Sequence, residues 1–402
     1  MSRKYYSITM LIVSVVLTIS LWFATTAVVP SLVLLYEFSE TRISMFTSAM
    51  QLGFVIGTLI SAFLGLADIF DPRRFFFISS LTAASINYSL LFVHPTSDWV
   101  LLARLGIGVC MAGVYPVGIK IAATWAEKDL GWLVGILIAA MAFGSAVPHL
   151  FNAFTFLDWR KTIAFASFTA ILGSLVINAV KLGPRSKLTA TFSPKIALIS
   201  FKDPALRLAN FGYLGHMWEL YAMWTWIGVF LDLSFRLVNT FEEPIITARL
   251  VTFLVIGVGG ALGCILGGYI ADRLGRTAFL IGTMVTSGLC TLTVGFLFGG
   301  NPYLLTIICF IWGISIVADS AQFSSSITEL APLDHVGTML TMQTCCGFLL
   351  TLISVHMVPI MVTWCGWEKA FMFLAIGPFL GAVAISRLRV RPEAQKLANG
   401  RR

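Results

Sequence analysis

The chain has 402 residues, of which 58% are hydrophobic and 11% charged, with a formal net charge of +8. Soluble domains carry charge on about a quarter of their residues, so an ordinary soluble globule is excluded. The basic excess sits in short gaps between apolar runs, which reads as membrane topology and not as a nucleic-acid footprint. The seven cysteines show no CxxC or Cys/His spacing. No disulfide framework, metal site or cofactor is expected.

Twelve runs reach the roughly 20 apolar residues that a membrane-spanning helix requires: 7–29, 42–66, 75–93, 98–121, 131–154, 162–181, 207–231, 247–271, 277–298, 303–324, 336–360 and 367–386. The first follows Arg3 and Lys4 but is too long for a signal peptide and lacks a small-residue cleavage site, so it is read as a retained helix. The runs are continuous, whereas strands of a barrel would be shorter and alternate in polarity. If the N-terminus is cytoplasmic, 20 of the 27 lysines and arginines fall in inner segments, six in outer ones, and Arg104 inside a helix. This bias predicts that both termini are cytoplasmic and that the protein resides in the cell inner (plasma) membrane.

The longest gap, 182–206, holds Gly183-Pro184, Pro194, Pro204 and four basic residues. It divides the chain six helices against six, and a short interfacial helix is expected near 195–201. The flanking parts look duplicated. Asp158-Trp159-Arg160-Lys161 precedes helix six as Gly366-Trp367-Glu368-Lys369 precedes helix twelve, and an offset of 208 aligns Phe165 with Phe373, Gly173 with Gly381 and Ile177 with Ile385. The expected fold is therefore an all-α integral membrane protein. Its twelve transmembrane helices form two pseudo-symmetric six-helix bundles, 1–181 and 207–386, with a cytoplasmic linker at 182–206 and a basic cytoplasmic tail at 387–402.

Two short inner loops repeat a pattern. The first runs Gly65-Leu66-Ala67-Asp68-Ile69-Phe70-Asp71-Pro72-Arg73-Arg74, and the second runs Gly268-Tyr269-Ile270-Ala271-Asp272-Arg273-Leu274-Gly275-Arg276. A carboxylate there suits a helix N-terminus, and glycine suits a tight turn. The second loop resembles G-x-x-x-D-R-x-G-R, the signature loop of the major facilitator superfamily. The first is degenerate: Ile69 replaces a basic residue and Asp71 a glycine. Arg104-Leu105-Gly106-Ile107-Gly108 resembles that family's R-x-x-x-G motif, whereas helix five has Val147-Pro148 in place of the Gly-Pro of the antiporter motif. The resemblance implies a secondary transporter in which the two loops latch the halves in an outward-open state. On it, Asp68, Arg73, Arg74, Gly268, Asp272, Arg273, Gly275 and Arg276 are gating residues. Small residues at every fourth position in helices two (Gly53, Gly57, Ser61) and eight (Gly259, Gly263, Gly267) read as packing stripes.

The resemblance also implies a central cavity lined by helices 1, 4, 7 and 10. Their polar residues share faces: Ser315, Asp319, Gln322 and Ser326 on helix ten, and Ser14, Thr18, Trp22 and Thr25 on helix one. An intramembrane ionisable group is a functional candidate by default. His216 and Glu219 are neighbours at i, i+3 on helix seven, and either couple protons or fix packing. Arg104 either faces the cavity, where it would attract an anion, or snorkels outward. The substrate and proton candidates are thus Arg104, Tyr115, His216, Glu219, Asp319, Gln322 and Trp22. His149 and His356 are read as interface residues.

With no phosphate-binding loop, ion-gradient energy fits better than ATP. The expectation is a proton-coupled secondary active symporter working as a monomer by alternating access, whose partners are the bilayer, H+ and a small polar solute, an anion among the options. A drug or metabolite efflux antiporter is the alternative, and a non-transporting sensor or a membrane enzyme ranks lower. No catalytic residue is assigned.

Overall fold

The computed structural model describes residues 3–36, 38–126, 129–155, 158–184, 196, 200–238, 240–332 and 335–401. Among them every regular element is helical. Twelve long helices follow one another: α1 Arg3–Leu35, α2 Glu40–Leu64, α3 Pro72–Phe92, α4 Trp99–Ala123, α5 Gly131–Phe154, α6 Trp159–Ala179, α7 Pro204–Arg236, α8 Pro244–Leu274, α9 Arg276–Leu297, α10 Pro302–Leu330, α11 Val336–Cys365 and α12 Trp367–Arg389. All but α7 are long and apolar enough to cross a membrane. At 33 residues α7 spans about 50 Å. Its apolarity is diluted by Asn210, His216, Glu219 and Asp232, all buried. An even number of crossings puts both termini on one face, called here the terminal face; the opposite one is the distal face.

The small-residue stripes close each bundle on itself. A methyl added at Gly53 of α2 would stand 2.0 Å from the Leu105 carbonyl oxygen of α4, and one at Gly263 of α8 would stand 2.2 Å from that of Ile314 on α10. The bundles meet along two other seams, α2 on α11 and α5 on α8. In the second, Gly257 and Gly260 lie against the methyls of Ala146 and Ala142.

Several helices are interrupted at mid-membrane. α1 turns between Ile19 and Ala24, α4 between Met111 and Tyr115, α10 at Asp319, and α8 carries a π-helical stretch over Leu254–Gly259. The repeat offset of 208 carries Asp319 onto Met111, at the start of the α4 break, so the two bundles share the interruption as well as the sequence match. The polar stripe expected along one continuous helix ten is therefore split over two short helices.

The linker and tail differ from expectation at their edges. The second bundle begins at Pro204, not 207, because Asp203 caps it, accepting from the amides of Ala205 and Leu206 at 2.9 Å each. Most of the interfacial helix expected over 195–201 falls outside the described residues. The tail is docked: Ala394 and Leu397 of the turn Pro392–Gly400 are fully buried. Its Ala398 amide donates to Glu329 Oε2 at 3.0 Å, and Arg401 Nη1 donates to the Asp272 carbonyl at 2.8 Å.

Candidate functional site

Between the bundles, at the depth of the helix breaks, lies a cavity with room for about 70 Å³ of water-sized occupants. Trp22, Tyr115, Tyr213, Tyr221, Trp224 and Phe348 line it with their rings; His216, Ser145, Ser320, Ser324 and Thr344 add polar atoms. The aromatic groups interlock across the halves, with Trp22 5.7 Å from Phe348 and Phe23 5.5 Å from Trp224, centroid to centroid. Trp22 and Trp224 keep buried indole N–H groups that have no partner. A donor buried without an acceptor costs about 1–3 kcal/mol, so these two suit an occupant that carries acceptor oxygens.

His216 contributes an imidazole to the wall. Its Nδ1 lies 2.8 Å from Asp319 Oδ1, and both side chains are almost wholly buried. The contact meets an ion-pair distance but not hydrogen-bond direction, since Asp319 Oδ1 has no hydrogen-bond partner. The other ring nitrogen, Nε2, is 3.0 Å from Ser320 Oγ. The imidazole thus sits against the break in α10, holding the residues on both sides of it. Sequence spacing had paired His216 with Glu219. The fold gives them different partners, His216 meeting Asp319 and Ser320 of α10 and Glu219 meeting Ser287 and Thr291 of α9 and Trp312 of α10.

Glu219 is buried and is not among the residues that line the cavity. Its Oε1 accepts three hydrogen bonds, from Ser287 Oγ at 2.6 Å, Thr291 Oγ1 at 2.8 Å and Trp312 Nε1 at 2.5 Å. Three donors on one oxygen are what a carboxylate needs once water is removed. The signal for this nest was present in the sequence, since Ser287 and Thr291 stand one turn apart on an apolar helix, but no partner for them was assigned.

Arg104 does not line the cavity. It is fully buried, and it donates from Nε to the Phe46 carbonyl at 3.2 Å, from Nη1 to Leu21 at 2.8 Å and from Nη2 to Trp22. Leu21 and Trp22 are in the α1 break, where their carbonyls stop accepting from the helix's amides and accept from the guanidinium instead. Neither the anion-attracting nor the snorkelling reading describes this contact. Gln322 is likewise drawn away, accepting from Arg276 Nη1. His149 is buried, and His356, half-buried, bonds Ser48 at 3.2 Å, so neither sits at a lipid interface.

The signature loops bond within their own halves. Arg73 forks onto Asp71, its Nη2 2.6 Å from Oδ2, and reaches the Val180 carbonyl at 3.3 Å. This pairing holds the Asp71 carboxyl below its ordinary range. Arg276 forks onto Glu329 at 2.6 and 3.0 Å and lies 3.9 Å from Asp272. Arg273 stacks over the Tyr269 ring at 4.0 Å. Gly275 has φ +95°, which only glycine adopts freely, whereas a methyl at Gly268 would meet nothing within 4 Å. The Asp68 side chain lies outside the described residues, and Arg74 takes no described hydrogen bond. Three hydrogen bonds cross between the halves near the distal face: Thr47–Thr225 at 3.3 Å, Ser48–His356 at 3.2 Å and Ser31–Arg249 at 3.0 Å. The structure is thus closed distally. The described side-chain contacts of Arg73, Arg273 and Arg276 stay within their own halves.

Two six-helix bundles about a buried, aromatic-lined central cavity define a multi-pass membrane carrier. The family model described as Major Facilitator Superfamily matches residues 10–355, and the chain belongs to that superfamily. No curated protein matches it. It is a secondary transporter of small molecules, from a family of transporters and not enzymes.

Proposed function

We propose that the protein is a proton-coupled symporter, working as a monomer by rocking of its halves, with its terminal face in the cytoplasm of the inner membrane. The observation that carries the coupling is the buried His216–Asp319 pair, 2.8 Å apart, on the cavity wall at the α10 break. A proton added to this pair raises its net charge by one. That change alters the cost of enclosing it between the halves and links protonation to closure. Glu219, behind it, is a second proton holder that never touches the solute.

The solute follows from the wall. Ring faces suit an apolar or flat body, while the two open indole donors and the hydroxyls of Ser145, Ser320, Ser324 and Thr344 suit acceptor oxygens. A small organic molecule bearing carbonyl or carboxylate oxygens fits. The specifically anionic reading loses Arg104, whose donors are taken. Efflux of aromatic compounds is the second reading, favoured by the six rings. A thermal-shift panel of organic acids, amino acids, inorganic anions and drugs picks out solutes that stabilise the protein, and uptake into proteoliposomes with and without a pH gradient follows. Transport of every such solute that ignores the gradient and survives Asp319→Asn overturns the coupling. Accumulation against the gradient's direction selects efflux.

A further inference from the structure

A second, enclosed cavity lies in the seam between the bundles near the distal face. Its volume of roughly 10 Å³ admits about one water-sized occupant. His149 of α5, Asp232 of α7 and Arg249 of α8 line it. Arg249 is only 3% exposed. Its Nη2 donates across the seam to Ser31 Oγ at 3.0 Å, but its Nε and Nη1 have no partner, and neither has His149 Nε2. Asp232 does not quench this, because Arg236 Nε holds its Oδ1 at 3.0 Å. Two guanidinium groups therefore face one carboxylate, and a single positive charge is left over beside two open donors.

We propose that this cavity binds one monovalent anion of halide size, held by Arg249 Nε and Nη1 and, across the seam, by the His149 ring. A halide accepts from several donors at once and cancels the surplus charge. A water cancels none of it, and a carboxylate or sulfate exceeds the space. Ser31 and His149 belong to the N-terminal bundle and Arg249 to the C-terminal one, so the anion joins the halves where the distal face closes. A ligand held by both sides of a seam favours the closed seam, and opening must reciprocally weaken its binding. The anion is thus a regulator of distal opening, separate from solute and proton.

The test uses the purified full-length protein and needs no solute. Melting is compared in sodium chloride, sodium bromide and sodium gluconate at one ionic strength. Chloride and bromide should raise Tm by several degrees over gluconate. The gain should be absent in Arg249→Gln and reduced in Arg249→Lys, which keeps the charge but not the fork and covers the case that the first variant fails to fold. In Thr47→Cys, placed in the same seam, labelling by an impermeant maleimide should be several-fold slower in chloride. Equal melting of the wild type in chloride and gluconate would mean that a water fills the cavity and overturns the proposal. So would a chloride response undiminished in both Arg249 variants, which places the anion elsewhere, or equal labelling rates, which remove the link to closure. Each outcome is independent of whether Asp319 couples protons.

Discussion

In each bundle a charged residue of the fourth helix reaches the first helix, and the two contacts carry opposite chemistry. In the N-terminal bundle α4 sends Arg104 to α1; in the C-terminal bundle α10 sends Asp319 to His216 on α7. All three Arg104 bonds end on main-chain carbonyls, two of them freed by the α1 break. Asp319 ends on a side chain, the His216 imidazole. A guanidinium stays protonated in proteins, so its contact has one state and works as a fastening. An imidazole and a carboxylate have several states, so on the proposed coupling theirs works as a switch. The repeat offset of 208 carries Arg104 onto Trp312 and not onto Asp319, so the two contacts are not copies of one position.

The largest expected effect tests the switch. Asp319→Asn keeps the shape but removes the charge, and gradient-driven accumulation should fall by about 100-fold or more, the scale of losing an essential proton carrier. Solute exchange without a gradient should persist. Loss of both would instead make Asp319 a folding or solute-binding residue. The fastening should fail differently. Arg104→Met strands three buried carbonyls, at about 1–3 kcal/mol each, so Tm and yield should drop sharply, while whatever folded protein remains keeps its pH dependence. Arg104→Lys should rescue little, because one ammonium cannot reach three carbonyls as a fork does. A Lys variant with normal stability but altered solute affinity would return Arg104 to the cavity.

What the sequence made legible follows from the range of each interaction. Spans rest on runs of about 20 residues, so each expected run overlaps one of the twelve long helices, with ends that differ by several residues. α7 was read as a span because its run is long; yet its buried polar residues leave it outside the helices that composition alone marks as membrane-crossing. Two of those residues, His216 and Glu219, are the ones on which the proposed coupling rests. The failures are of pairing. Arg104 needed acceptors in the α1 break, which contains neither proline nor glycine to announce it. His216 had Glu219 three residues away and Asp319 103 away, and the fold chose the distant one. Arg249 was counted as an outer loop charge, yet it is buried against the opposite half.

Glu219→Gln separates the two acids of the C-terminal bundle. The amide oxygen still accepts from Ser287, Thr291 and Trp312, so stability should hold and uptake should fall by about 10-fold with a shifted pH profile. If this variant abolishes coupling and Asp319→Asn spares it, the roles exchange, and the carrier is the nest behind the wall.

The smallest effect belongs to the loop of the N-terminal bundle. Asp71 caps α3 and is forked by Arg73, which holds its carboxyl below the ordinary value. A carboxyl lowered by folding contributes stability above its unfolded value, and that contribution is lost as pH falls through the lower folded one. The window therefore opens below about pH 4, the ordinary aspartate value. The pair is partly exposed, so water screens it, and the contribution is on the order of a few tenths of a kcal/mol. Arg73→Gln should accordingly leave neutral melting almost unchanged, and its Tm difference from the wild type should shrink further between pH 5 and pH 3. A difference that grows on acidification, or a large one at pH 7, would show that Arg73 holds the bundle through the Val180 carbonyl and not through Asp71. The degenerate loop would then be a fastening of the Arg104 kind.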